Sequence, residues 1–94
     1  MTTDVDRIRE WVLEWNEEAL LADGFEDAFV GICERIGSVP VVAYDRYECI
    51  RILMDRDGMT DEEAIEYFNF NVAGAYVGEG TPVFLTLWDS EVRE

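Results

Sequence analysis

The first apolar residues of the chain recur with the spacing of a helix. Thr3 is placed to cap this helix, and Asp4 and Asp6 favour its positive N-terminal end. Asp23 and Gly24 are expected to end it. The predicted buried face consists of Ile8, Trp11, Val12, Trp15 and Ala19.

A second apolar stripe follows at once, again with intervals of three and four residues. It predicts a second helix, closed by Gly37, because glycine favours the left-handed backbone conformation just beyond a helix end. The stripe consists of Phe25, Ala28, Phe29, Ile32, Cys33 and Ile36.

Two short β-branched runs predict strands. The first, SVPVVAY, ends at Tyr44, and Pro40 within it indicates an edge position or the start of the strand. The second, TPVFLTLW, covers about Pro82–Trp88. The glycines before it are expected to provide positive φ angles and close backbone passage: Gly74, Gly78 and Gly80.

Two more helices are predicted between these strands from their capping residues. Asp45 with Glu48, and Thr60 with Glu63, have the three-residue spacing of a capping box. Gly58 is expected to end the first of these two helices. The residues expected to point inward are Tyr47, Ile50, Leu53 and Met54 on the first, and Ile65, Phe68 and Val72 on the second.

The predicted elements combine into one small α+β domain that covers residues 1–94. Their order is α-α-β-α-α-β, which gives about four helices packed on a two-stranded β ribbon. A chain of 94 residues with 49% hydrophobic content can fill a single modest core. We find no internal repeat, linker or low-complexity segment that would divide it.

The charge balance narrows the classes of function. The chain has 22 acidic and 7 basic residues, a net charge of −15, and neither lysine nor histidine. The absence of histidine excludes Ser-His-Asp and Cys-His nucleophilic sites and argues against a transition-metal site. We therefore expect a non-enzymatic protein without a cofactor, which repels nucleic acid and anionic membranes and attracts basic protein surfaces.

Cysteine usage and hydropathy bear on the cellular compartment. Cys33 and Cys49 match no zinc or redox spacing and are expected to be small buried apolar residues. The opening MTTDVDRIRE is too polar for a signal peptide. No apolar run approaches the roughly 20 residues that span a bilayer. We expect a cytoplasmic protein.

Two segments look like ligand loops but lack essential residues. When DRDGMTDEE is aligned to an EF-hand loop on Gly58, Leu53 and Ala64 occupy the first and last ligand positions. In GAYVGEGT, Glu-Gly precedes Thr81 where a phosphate loop requires Gly-Lys. We predict that neither segment binds a metal or a phosphate, and that both are helix ends and turns.

An acidic row on the first predicted helix is the main candidate for a binding surface. Asp6, Glu10, Glu14 and Glu17 fall within about 80° of one another around the helix axis. Successive carboxylates would be roughly 6 Å apart, comparable with DNA, whose phosphates follow at about 3.4 Å of axis on one strand. Such a ridge can occupy the basic groove of a nucleic-acid-binding protein. The alternative is a solvated face that only confers solubility.

The sequence contains three further candidate binding surfaces. Glu62, Glu63 and Glu66 form a second acidic patch for the same partner. Glu66, Tyr67 and Asn71 are an alternative site for binding a small molecule or for catalysis, unless the asparagines of this segment act as helix caps. The other alternative is a structural or regulatory module that self-associates into a homodimer through exposed aromatic residues, namely one of Trp11, Trp15, Tyr76 or Trp88.

The segments AYD, DGMTDEEAIEYFNFN and GAYVGEGTP resemble a family of small uncharacterised proteins encoded by bacteriophages and prophages. The similarity extends from about Ala22 to Phe84 and leaves out the first predicted helix. It implies a phage or prophage origin and the cytoplasm of a host cell, but neither an activity nor any site residue.

Charge and resemblance together lead to one functional expectation. We expect an acidic phage-type protein that binds and blocks a basic, nucleic-acid-binding host protein, by DNA mimicry or by steric blockade. A defence complex such as a CRISPR effector is the expected class of target, which would make the protein an anti-CRISPR inhibitor.

Overall fold

The computed structural model of the protein describes residues 5–88. Within them the chain forms helices and a sheet, so the predicted α+β class is confirmed. The predicted cap Thr3 lies outside the described residues. The elements are α1 (Val5–Trp15), β1 (Phe29–Cys33), β2 (Val41–Asp45), α2 (Arg46–Asp57), α3 (Asp61–Tyr67) and β3 (Val83–Leu85).

The strand β2 lies at the centre of a mixed three-stranded sheet. It pairs with β1 in antiparallel and with β3 in parallel orientation. All five residues of β2 are buried, as its apolar β-branched sequence favours. The two predicted strands are confirmed, with Pro40 just before β2 and the second strand shortened to β3. The predicted two-stranded ribbon is wrong because β1 adds a third strand.

The second predicted helix is also wrong. Phe25 and Ala28 are buried as predicted, but the helical segment is a single 3₁₀ turn at Glu26–Ala28. The chain then enters β1 and pairs with β2. The described part of the chain therefore contains three α-helices, not four.

A β-bulge at Val30 explains why β1 has a helix-like apolar spacing. Phe29 pairs with Tyr44, and Ile32 pairs with Val42, so all four side chains share one face of the sheet. In a regular strand, residues three apart lie on opposite faces. The extra residue of the bulge brings Phe29 and Ile32 onto the same face. The strand therefore has the three-residue apolar interval that is typical of a helix.

The helix α1 is shorter than predicted because Asn16 bonds to a distant segment. The Asn16 side-chain amide donates to the Pro40 carbonyl at 2.9 Å, and its oxygen accepts from the Glu18 N–H at 3.0 Å. These bonds form a turn directly after Trp15. Ala19, predicted to lie within the helix, therefore lies beyond it.

The predicted buried face of α1 is only partly buried. Val12 is the buried residue of this helix and joins the core, against which Ile8 packs. Trp11 and Trp15 are each 42% exposed, although both were predicted to point inward. Trp11 still contacts the sheet, with its ring edge-on to Phe29 at 6.2 Å.

Tyr44 of β2 is at the centre of an aromatic cluster. Its ring stacks on Phe84 at 5.9 Å and meets Phe29 edge-on at 6.2 Å. The ring of Phe84 also meets the ring of Phe68 edge-on, with 5.0 Å between the ring centres. The Tyr44 hydroxyl accepts a hydrogen bond from the Ala22 N–H at 2.7 Å. The irregular segment after α1 is thereby tied to the central strand.

The start of α3 is the capping box that the sequence predicts. The Thr60 hydroxyl accepts from the Glu63 N–H at 3.2 Å, and the Glu63 carboxylate accepts from the Thr60 N–H at 2.9 Å. Gly58, with a φ of 69°, ends α2 as predicted. The calcium-like segment thus serves as a helix end followed by a helix start.

Only half of the capping box predicted for α2 forms. The Asp45 carboxylate accepts from the N–H groups of Tyr47 at 3.0 Å and Glu48 at 3.4 Å. Glu48 does not return the bond, and its carboxylate lies 3.4 Å from Arg51 instead. Asp45 is also the last residue of β2 and pairs with Leu85, which leaves its backbone engaged in the sheet.

Gly80 lies against the backbone of the segment after α1, which confirms the close passage predicted for the glycine-rich loop. The Leu20 N–H donates to the Gly80 carbonyl at 3.0 Å. A Cβ at position 80 would overlap the carbonyl oxygen of Glu18 and come within 3.5 Å of the Ala19 Cα. Gly78, with a φ of 112°, supplies the predicted positive φ angle two residues earlier.

Candidate functional site

Three carboxylates form an exposed row on α1, which we call the α1 ridge. Asp6, Glu10 and Glu14 are four residues apart, which places them on successive turns, roughly 6 Å from one another. All three are exposed, whereas Val12 enters the core. None of the three forms an ion pair or hydrogen bond within residues 5–88. Their charge is therefore available to a partner.

The fourth residue predicted for this row, Glu17, is not on the helix. Because the bonds of Asn16 end α1 at Trp15, Glu17 lies exposed in the turn that follows. It extends the acidic surface beyond the helix end without continuing the ridge. The acids of this connecting segment, which contains no base, are Glu17, Glu18, Asp23, Glu26 and Asp27.

Basic and apolar side chains border the α1 ridge. Arg7 and Arg9 lie on the same helix, so the excess of acid comes mainly from the segments around it. By helical position Trp11 and Leu13 lie on opposite sides of the ridge, and they are 42% and 48% exposed. The ridge is therefore a charged row between two apolar side chains, and not a uniform polyanion.

The arginines of α2 are paired within their own helix or with its neighbours. Arg51 lies 3.4 Å from Glu48 and 3.6 Å from Asp55. Arg56 donates two hydrogen bonds to Asp57, both at 3.1 Å. These bonds lower the pKa of Asp57 and raise the pKa of Arg56. Two of the three arginines of α2 thus compensate acids of their own helix, and they are not paired with the carboxylates of α1 or α3.

The second predicted patch, on α3, is less uniform than the sequence indicates. Glu63 is exposed, but its carboxylate is engaged in the capping box with Thr60. Glu62 and Glu66, four residues apart, are exposed and form no ion pair within the described part of the chain. Within this patch, only Glu62 and Glu66 have carboxylates that are free to contact a partner.

The buried cysteine is chemically inert at neutral pH. Cys49 is fully buried, and burial raises the pKa of its thiol to about 12, with a smaller contribution from the charges of Asp45 and Glu48. The prediction of a small buried apolar residue is confirmed for Cys49. Cys33 is half-buried, and both thiols are free.

The raised pKa of Cys49 makes stability fall at alkaline pH. In the unfolded chain the thiol ionises near its ordinary pKa of 9.0, whereas the folded protein keeps it protonated up to about 12. Below pH 9 both states are protonated and the stability is retained. Between pH 9 and 12 only the unfolded state loses the proton, so the free energy of unfolding decreases by up to about 1.4 kcal/mol per pH unit.

Urea denaturation of the wild type and Cys49→Ala over this pH range measures the effect. We expect the free energy of unfolding of Cys49→Ala to decline less steeply with pH. Some pH dependence remains, because burial also raises the pKa of the Tyr44 hydroxyl. Cys33→Ala, which removes the half-buried thiol instead, is the matched control. Equal slopes for the wild type and Cys49→Ala would contradict the assignment.

A cavity of about 430 Å³ lies between α2, the segment after α3 and the loop after α1, and we call it the Tyr67 cavity. Phe25, Val72 and Phe84 line its apolar part. Asp23, Arg56, Tyr67 and Asn71 are its polar residues. The Arg56 guanidinium lies over the Phe25 ring at 5.5 Å from the ring centre.

The alternative site predicted around Glu66, Tyr67 and Asn71 is concave in the structure. These three residues line a groove of about 430 Å³ together with Met59 and Phe70. Tyr67 and Asn71 line the Tyr67 cavity as well, while Glu66 faces only the groove.

The predicted capping role of the asparagines is wrong. The Asn69 side-chain oxygen accepts from Arg46 at 3.1 Å, and Asn71 lines both concavities. The backbone explains this placement, because Phe68–Val72 continues α3 as a π-helical turn in which the Ala73 N–H donates to the Phe68 carbonyl at 2.8 Å.

Arg56 is the residue of the cavity that sequence reasoning missed. It is the only base between Ile52 and Trp88, which was a visible signal in so acidic a segment. Its position directly before Asp57 and Gly58 is equally typical of the last turn of a helix. The segment Leu20–Phe25 was likewise assigned to helices, although it forms one wall of the cavity.

Comparison with known proteins does not assign the chain to a family. No family model matches the chain, and no curated protein or solved structure is significantly similar to it. Residues 5–88 contain no group of acids and cysteines with the arrangement of a metal site. No helix in the same range is long and apolar enough to cross a membrane.

Proposed function

We propose that the protein binds a basic, nucleic-acid-binding protein and blocks its nucleic-acid site. The observation that carries the proposal is the α1 ridge. Asp6, Glu10 and Glu14 are exposed, follow one another on successive helical turns, and have no cationic partner in residues 5–88. A rigid helix presents these charges in a fixed row, as a nucleic-acid strand presents its phosphates.

Electrostatics favours this class of partner over others. A net charge of −15 repels nucleic acid and anionic lipid, and it steers basic surfaces towards the protein. Carboxylates roughly 6 Å apart are spaced on the same scale as the phosphates along a DNA strand. Lysine and arginine side chains of the partner that bind phosphates can therefore contact the ridge without a rearrangement of the partner's backbone.

Apolar contacts beside the ridge would supply affinity that charge alone does not. Exposed ion pairs contribute little individually, whereas tryptophan side chains that become buried in an interface contribute most. Trp11 and Leu13 lie on either side of the ridge and are each more than two-fifths exposed. We infer that they anchor the partner once the charges have oriented it.

A more specific proposal concerns the identity of the partner. The resemblance to phage and prophage proteins favours a host defence complex, such as a CRISPR effector, in the cytoplasm of a bacterial cell. The charge row then acts as a DNA mimic within that complex, or the bound protein covers its nucleic-acid channel sterically. Glu62 and Glu66 provide a second acidic contact for a long basic groove.

Affinity capture followed by competition tests the proposal. The tagged protein is incubated with bacterial lysate at about 50 mM and about 300 mM salt, since screening weakens a charge-driven complex. We expect a stoichiometric nucleic-acid-binding protein that is lost at the higher salt. The purified partner should release labelled nucleic acid when this protein is added. A ternary complex with the nucleic acid still bound would contradict mimicry and blockade alike.

Self-association is a second candidate that the exposed aromatic residues favour. Tyr76 is 76% exposed and Trp88 is 98% exposed, in addition to the two half-exposed tryptophans of α1. The capture experiment separates the two functions. Recovery of copies of this chain alone, in amounts that do not decrease with salt, would support an oligomeric module and reduce the acidic surface to a solubility device.

A further inference from the structure

We propose that the Tyr67 cavity binds a small, neutral, aromatic molecule that carries an amide-type carbonyl group. This site goes beyond the proposed function, because none of the three residues of the α1 ridge lines the cavity. Its volume of about 430 Å³ lies within the range of small-molecule pockets. Its composition, mainly apolar side chains with a few polar groups, is also typical of such pockets.

The irregular wall of the cavity is fixed before any ligand arrives. The Leu20 N–H donates to the Gly80 carbonyl at 3.0 Å, and the Ala22 N–H donates to the Tyr44 hydroxyl at 2.7 Å. The Arg56 guanidinium donates to the Gly24 carbonyl at 3.1 Å and so fixes the far end of this wall. Three bonds to three different parts of the fold therefore set the shape of the wall, which lowers the entropic cost of binding.

The local charges favour a neutral ligand over an anion. The lining contains one acid, Asp23, and one base, Arg56, and the base is already neutralised by its two hydrogen bonds to Asp57. A carboxylate or phosphate would meet a base that is already paired, the nearby carboxylates of Asp23 and Asp57, and the field of a chain with a net charge of −15.

The polar groups determine what the ligand should carry. A guanidinium has five N–H donors, and Arg56 uses three of them for Asp57 and Gly24, so two remain. Tyr67 adds a hydroxyl and Asn71 adds a side-chain amide, which can donate and accept. These donors match a carbonyl oxygen, while the apolar side chains of Phe25, Val72 and Phe84 match an aromatic body.

Titration with matched probes tests the site, with the amide ¹H–¹⁵N spectrum of the full chain as the readout. The neutral probe is 4-phenylbutanamide, and the matched anion is 4-phenylbutanoate. We expect the neutral probe to shift the signals of residues 20–25 and 67–77 in a saturable manner, with a Kd on the order of 1 mM or below. The anion should bind at least about threefold more weakly. Absence of saturable shifts at these residues would overturn the site, and equal affinity for the anion would overturn the neutral class.

Two tryptophan substitutions provide a matched pair. Ala75→Trp adds a large side chain at an exposed position of the cavity lining, and we expect it to weaken binding of the neutral probe at least tenfold. Ala73→Trp, which is also exposed but does not line the cavity, should leave the affinity unchanged. If Ala75→Trp loses signal dispersion, Val77→Trp, at another exposed lining position, replaces it. Unchanged affinity in a folded lining variant would refute the assignment.

Discussion

Gly80→Ala is expected to lower the free energy of unfolding by about 3 kcal/mol. The added Cβ would overlap the carbonyl oxygen of Glu18 and press on the Ala19 Cα. Both neighbours are backbone atoms, so no side-chain rotation can relieve the overlap. The loop or the segment after α1 must move, which breaks the hydrogen bond between Leu20 and Gly80. Urea denaturation followed by circular dichroism measures the change.

Glu79→Ala is the matched control for this substitution. Glu79 is the neighbouring residue, its side chain is exposed, and it takes part in no bond described above. We expect a change within about 0.5 kcal/mol. A loss of less than about 1 kcal/mol in Gly80→Ala would mean that the glycine-rich loop shifts freely and that its close passage does not stabilise the fold.

Local signals in the sequence predicted the elements whose causes are local. The capping box of Thr60 and Glu63 and the helix end at Gly58 depend on neighbouring residues only, and they form as expected. The strand β2 follows from its β-branched composition. In contrast, α1 ends where Asn16 bonds to Pro40, 24 residues away, and nothing near Asn16 reveals that contact.

The misassigned second helix shows how a bulge can imitate a helix. A helical stripe and a bulged strand both place residues three apart on one side, and the pairing of β1 with β2 decides between them. The FVGIC sequence carries β-branched and aromatic residues that favour a strand. Composition was therefore the better guide here, and periodicity was misleading.

The candidate sites divide in the same way. The spacing of Asp6, Glu10 and Glu14 within one helix made the ridge predictable, whereas Glu17 depended on the position of the helix end. The Tyr67 cavity could not be predicted, because it is assembled from segments far apart in the chain. Only two of its residues, Tyr67 and Asn71, are candidates on sequence grounds, because they cluster at one helix end.

Reversal of two charges on the α1 ridge is expected to weaken the proposed complex at least 100-fold. In Glu10→Arg/Glu14→Arg, two exposed carboxylates without cationic partners in residues 5–88 become cations that face a basic surface. Each reversal replaces an attraction by a repulsion, and a tenfold loss per site corresponds to about 1.4 kcal/mol. Calorimetry or surface plasmon resonance with the captured nucleic-acid-binding partner measures the Kd at low salt.

The control must separate the ridge from the total charge. Glu34→Arg/Glu79→Arg makes the same change in net charge at two exposed positions outside α1. If the fixed row on α1 is what the partner binds, this variant should lose no more than about threefold, mainly through weaker long-range steering. Similar losses in the two variants would mean that the partner senses only the overall charge of −15 and not the ridge. Unfolding curves should be nearly the same for both variants, because none of the four substituted side chains forms a bond in the described structure.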